Sequence, residues 1–174
     1  MRRRGQFTAL LPVMYSIVLA ILLGTTAACT GTARSGVRVA LGFEALDGGS
    51  IDLRRYRGRP VVLHLFTTWS LASQRDVAQL IDASTRHRDK LVVIGIALDP
   101  DGYRLVAPWR QANAVPYLIG LGSPQLVAGK SALGRIAQVP TTVILDRRGA
   151  ISARVEGPLA EGQLARLLAD LASR

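Results

Sequence analysis

"TTWSLASQRD", Thr67 to Asp76, is the stretch on which the fold turns. It follows "PVVLHLF", Pro60 to Phe66, a continuous apolar run about as long as one strand. Such a run suits a strand covered on both faces of a sheet. After Ser70 come Leu71, Val77, Leu80, Ile81 and Ser84, which share helical spacing over 71–87. A serine at that junction is a good N-cap, because its hydroxyl accepts an otherwise unpaired N–H of the first turn. A strand running into a serine-capped helix is therefore the plain reading.

On the N-terminal side, Asp47-Gly48-Gly49 separates two short alternating runs and predicts a β-hairpin. On the C-terminal side, "KLVVIGIALD" reads as a second buried strand and "DPDGYRLVAPWRQAN" as a loop and a helix kinked or started near Pro108. "YLIGL" reads as a short strand. "SPQLVAGKSALGRIA" reads as helical, with Pro124 in its first turn. "TTVILDRRGAISARVEG" reads as two strands around Asp146-Arg147-Arg148-Gly149, and "LAEGQLARLLADLASR" as a final amphipathic helix. Parallel strands with crossover helices come first and an antiparallel pair comes late. The expected fold class is α/β, a mixed sheet with helices on both faces.

The 174 residues suffice for one ordinary domain. Lys and Arg number 22 against 12 Asp and Glu. The arginines are scattered and no nucleic-acid motif accompanies them, so the excess reads as a basic surface suited to acidic partners or anionic membranes.

The first 28 residues are set apart as a leader. "MRRR" is a positive n-region, "TALLPVMYSIVLAILLG" an apolar h-region, and "TTAAC" places small residues before Cys29. This resembles a bacterial lipoprotein signal, which implies cleavage after Ala28 and a lipid anchor on Cys29. Thr26 stands where that signal prefers Leu. Ordinary signal cleavage and an uncleaved anchor are the alternatives, and all three send the domain across the membrane. "TGTARSG" then reads as part of a tether over 29–38, with a root-mean-square reach of about 16 Å. The domain proper is expected over 39–174.

These pieces in this order resemble the thioredoxin fold, and more closely the membrane-anchored TlpA/ResA-type thiol–disulfide proteins of bacterial envelopes. "FEALDGGSIDLRRYRGRPVVLHLF" is similar to that family's entry hairpin and first central strand. "VPTTVILDRRGAI" resembles its cis-proline loop and hairpin, and "GPLAEGQLARLL" its last helix. "TTWSLAS" stands where the family has Thr-Trp-Cys-x-x-Cys. The resemblance therefore implies a redox site at Ser70 and Ser73, in which a thiolate at a helix N-terminus attacks a disulfide and a second thiol resolves it. This chain has serines there, and Cys29 is its one cysteine. A hydroxyl is hardly ionised at neutral pH and forms no disulfide. Thr67-x-x-Ser70 likewise echoes the Thr-x-x-Cys of peroxidases of this fold, with serine in the last place.

The expectation is a degenerate site with no catalytic residue, no cofactor and no metal. It is expected to bind an envelope protein or extended peptide through Trp69, Ser70, Pro140 and Thr141. A redox enzyme using a partner's thiols is the alternative, and an inactive copy the third reading. Oligomeric state stays open. Asp76 is expected as a surface charge in the first helical turn, His64 as a hydrogen-bonded core histidine, His87 as the helix end, and Trp69 as a packing residue in its plainer role.

Overall fold

The computed structural model describes residues 38–173. The leader, Cys29 and most of the tether lie outside the described residues. One seven-stranded sheet carries the fold, in the order β2-β1-β5-β4-β3-β6-β7. The strands are β1 (Gly42–Ala45), β2 (Ser50–Asp52), β3 (Val61–Phe66), β4 (Val92–Ala97), β5 (Leu118–Leu121), β6 (Thr141–Leu145) and β7 (Ile151–Glu156). The helices are α1 (Leu71–Arg86), α2 (Gly102–Ala112), α3 (Pro124–Val127) and α4 (Gln163–Ala172), with a 3-10 turn at Leu53–Tyr56. Strands β3, β4 and β5 are parallel, while β6 runs antiparallel to β3 and β1 antiparallel to β5.

Every residue of β3 and β4 is buried, which is why both segments read as unbroken apolar runs. The alternation is still present but divides between two cores. Val62 and Phe66 pack with Leu80, Val106 and Leu164 on the side of α1, α2 and α4. Val61, Leu63 and Leu65 pack with Phe43, Ile51, Leu126 and Leu133 on the side of the entry hairpin and α3. Full burial of each such side chain stabilises by about 1.5–3 kcal/mol, so the central strands hold the two layers to one sheet. The hairpin turns on Gly48 and Gly49, both at positive φ, as the Asp-Gly-Gly signal requires.

Two helix expectations are corrected. The 123–137 stretch holds only the four residues of α3. Gly129 adopts φ +72, and Lys130 N–H returns to Gln125 O at 2.9 Å, a left-handed ending that stops the helix. A Cβ at Gly129 would meet the Arg135 backbone at 3.1 Å, so close chain approach also holds this loop. In contrast, α2 starts at Gly102 and continues through Pro108. Pro108 and Arg104 both lie on its exposed face, so the carbonyl that Pro108 cannot serve is left on the solvent side of the helix.

Candidate functional site

Strands β3 and β4 end side by side, with Phe66 opposite Ala97, and the loops that follow meet. Asp99, buried after β4, accepts the Thr68 hydroxyl at 2.6 Å and the Thr68 N–H at 3.1 Å. Ser70 N–H donates to Thr67 O at 3.2 Å, and Gln74 Nε2 donates back to Thr68 O at 3.1 Å. The Thr67–Ser70 turn is thus tied to β4 on one side and to α1 on the other. Asp99 carried no sequence signal beyond its place at the end of a strand parallel and adjacent to β3.

Ser70 is the N-cap of α1, and its Oγ accepts Ser73 N–H at 3.2 Å. On either side of it, Trp69 is 69 % and Leu71 74 % exposed. Each departure from expectation has its own local cause. Leu71 shares helical spacing with the core face, but it begins the first turn, beyond the edge of the sheet that covers Val77 and Leu80. Trp69 stands on the turn before the helix, held outward by the Thr68–Asp99 contact, and so is not a packing residue.

The Val139–Pro140 peptide bond is cis. Leu65 pairs with Thr141 and His64 with Thr142; the same antiparallel register would bring Pro140 to Phe66 one step on and Val139 to Thr67 two steps on. The proline loop therefore leads into β6 at the same end of the sheet from which the turn carrying Trp69 and Ser70 leaves β3. Pro140 O accepts Gly157 N–H at 2.8 Å, which fastens the loop to the end of β7. Thr141 differs from its neighbours. Its side chain is fully buried and its hydroxyl donates to Gln138 O at 2.7 Å. Its backbone lies between β3 and β7. Thr141 is placed to fix the loop from inside and offers no side chain to a ligand.

Beneath the site the structure corrects the reading of Asp76, which is wholly buried. Ser70 to Asp76 spans less than two helical turns, and Ser73 and Asp76, three apart, share the inward face. Asp76 Oδ1 accepts Leu159 N–H at 2.9 Å, whereas Asp76 Oδ2 and Ser73 Oγ have no partner among the described residues. Burial pushes the Asp76 carboxyl up to about 6, against the opposing effect of the Leu159 N–H. The Tyr117 hydroxyl is raised by its own burial and by the negative charge on Asp76. His64 is the core histidine expected: Nδ1 lies 3.0 Å from Thr142 Oγ1 and burial lowers it to about 3, which leaves a neutral ring at neutral pH. His87, exposed, closes α1 as its C-cap.

The site thus offers an exposed aromatic and an exposed aliphatic side chain around a helix N-terminus, with a proline loop at the same end of the sheet and hydroxyls at the helix start. Ser70 Oγ is engaged as a cap, and both histidines lie elsewhere.

The architecture is a thioredoxin-like fold. It is similar to a DsbF homologue from Corynebacterium diphtheriae, with TM-score 0.73 at 19% identity over 85% of this chain and 97% of that one. It is similar also to a thioredoxin-family thiol:disulfide interchange protein from Chlorobium tepidum TLS, with TM-score 0.69 at 18% identity over 80% and 97% of the two chains. A secreted Mycobacterium tuberculosis disulfide oxidoreductase homologous to E. coli DsbE matches with TM-score 0.64 at 16% identity, over 76% and 96%. No curated protein sequence matches significantly. The AhpC/TSA family profile matches residues 38–154, from the entry of the domain through most of β7, and the chain belongs to the AhpC/TSA family.

Proposed function

We propose that this chain is a membrane-tethered binding protein of the bacterial envelope, built on a thiol–disulfide oxidoreductase frame and lacking its chemistry. One observation carries the reading: Trp69 and Leu71 stand exposed on either side of Ser70, at a helix N-terminus where the resembled family would place its attacking thiolate. Ser70 and Ser73 occupy the two thiol positions of the resembled motif. The frame of the site is intact, with its turn tied to Asp99 and its proline loop at the same end of the sheet. An extended polypeptide could lie along that loop, with apolar side chains against Trp69 and Leu71. A carboxylate or other anion would be favoured at the start of α1. The leader in the sequence supports an extracytoplasmic location, and Cys29 supports an anchor there.

The test is capture of extended apolar peptides by the full chain. The paired change Trp69→Ala and Leu71→Ala should weaken capture about tenfold or more, with the thermal midpoint nearly unchanged, since both side chains are exposed. Undiminished capture by the pair rejects this face as the binding site. A captured complex that dissociates on adding reductant would instead favour an enzyme that uses a partner's thiols.

A further inference from the structure

The end of the sheet opposite Trp69 is strongly basic, and the chain enters the domain there. Val61 opens β3 beside Val92 of β4 and beside Leu145 at the close of β6. The segments just before β3, just before β4 and just after β6 therefore share one end of the sheet. Together they carry Arg57, Arg59, Lys90, Arg147 and Arg148. Gly58 N–H donates to Arg147 O at 2.8 Å and Arg57 Nη1 to Arg148 O at 2.7 Å, which holds the segments together. Val39 N–H donates to Gly149 O at 2.8 Å and Arg38 pairs with Ala150, so the first described residues join the same end. Two carboxylates are interspersed, Asp89 and Asp146. The Asp146 Oδ1 is already occupied by the Arg148 and Ala150 N–H groups.

We propose that this basic end docks on anionic lipid headgroups and holds the Trp69 face away from the membrane. The inference rests on the anchored reading given above, and adds to it an orientation. Cys29 precedes Arg38 by a short polar stretch with a root-mean-square reach of about 16 Å, no more than about twice the screening length of about 8–10 Å in physiological salt. An anchor at Cys29 would therefore let these five cations and Arg38 reach the negative surface potential of an anionic leaflet. Each then adds attraction to the bilayer. The peptide-binding face, at the other ends of β3 and β4, is left open to partners. An acidic protein has the same sign of charge as the lipid, but the chain's point of entry favours the membrane.

The experiment uses the full chain purified from membranes and reconstituted into phosphatidylcholine vesicles with or without phosphatidylglycerol. Arginine reactivity toward phenylglyoxal is read residue by residue by mass spectrometry. Arg57, Arg147 and Arg148 should lose reactivity several-fold when phosphatidylglycerol is present, and regain it in high salt. Arg75 and Arg104, exposed at the opposite end, should not change. Lys90→Glu with Arg147→Glu should abolish the protection, and Lys90→Gln with Arg147→Gln should reduce it less; these side chains are exposed, so the fold should persist.

A chain retained on both vesicle types without any selective protection overturns the docking and leaves the anchor standing. Release from phosphatidylcholine together with protected binding to phosphatidylglycerol overturns the anchor and leaves the docking. Release from both overturns both. Protection by soluble polyglutamate with none by phosphatidylglycerol assigns the basic end to an acidic protein and overturns the membrane assignment.

Discussion

Asp76 and Leu159 are 83 residues apart, and the carboxylate of one accepts the backbone N–H of the other at 2.9 Å inside the core. The contact ties α1 to the segment leading into α4. The second oxygen of Asp76 has no partner among the described residues, which makes the ionised form costly.

The first prediction follows from that cost. The Asp76 carboxyl is raised from 3.8 to about 6 in the folded chain, so between those values the native state holds more protons than the unfolded state. Asp76 therefore contributes most stability below pH 4, loses it as pH rises to about 6, and contributes none above. The whole effect is roughly 3 kcal/mol at about 1.4 kcal/mol per unit. His64 acts in the opposite sense. Burial lowers it from 6.5 to about 3, so its neutral form supports the fold above pH 6.5 and that support fades on acidification. The two slopes oppose each other between pH 4 and 6. Asp76→Asn should raise urea stability at pH 8 by roughly 1–3 kcal/mol and unmask a steady fall on acidification. An Asp76→Asn profile parallel to that of the unaltered chain would remove the buried carboxylate from the account.

The second prediction concerns the turn that displays Trp69. Asp99 accepts both Thr68 N–H and Thr68 Oγ. Asp99→Ala leaves both donors unpaired in a half-buried place and should cost about 1–3 kcal/mol. Hydrogen exchange should rise first at Thr68–Ser70, and Trp69 fluorescence anisotropy should fall. Exchange that stays slow at those amides in Asp99→Ala would show that the cap at Ser70 alone fixes the turn.

Thr141 supplies the third. Its side chain is fully buried between β3 and β7, so Thr141→Lys places an unpaired charge in the core. A loss of several kcal/mol is expected, about 3 or more, with unfolding in place of a selective binding defect. Thr141→Ser keeps the hydroxyl and should remain folded. Thr141→Lys with an unshifted thermal midpoint would contradict the burial.

Much of this arrangement was legible in the chain itself. The apolar run at 60–66, the Asp-Gly-Gly turn and the late Arg-Arg-Gly hairpin led to the sheet, because strand burial and turn chemistry are local signals. Ser70 as cap and His64 as core histidine followed from place in a strand-to-helix junction. Asp76 was missed because helical periodicity rarely assigns a carboxylate to the inward face; only its buried tertiary contact with Leu159 reveals it. Leu71 was missed for the converse reason: its spacing is that of the core, but the sheet ends before reaching it. The 123–137 loop misled because its composition favours a helix, and two glycines at positive φ break it.

The last prediction joins the frame to the lost chemistry. Ser70 caps α1 and Ser73 lies three residues on, with Ser73 N–H bonded to Ser70 Oγ at 3.2 Å. Side chains three apart at a helix start have Cβ atoms about 5–6 Å apart, and a disulfide needs Cβ atoms about 3.5–4.5 Å apart, so an adjustment of about 1–2 Å closes the pair. Ser70→Cys with Ser73→Cys should therefore form an intramolecular disulfide under mild oxidation, the oxidant taking two electrons, seen as the mass loss of two hydrogen atoms. The half-buried thiol at 70 should have a lowered pKa, since the helix N-terminus favours its thiolate. Cys29 is kept out of the assay by using the lipidated chain, or by Cys29→Ser if mass shows it unmodified. The unaltered protein should reduce a model protein disulfide no faster than background, because a serine hydroxyl neither ionises near neutral pH nor forms a mixed disulfide. Turnover by the unaltered chain would end the non-catalytic reading. A double variant that folds but leaves both thiols free would show that Ser70 and Ser73 do not occupy the two positions of a dithiol frame.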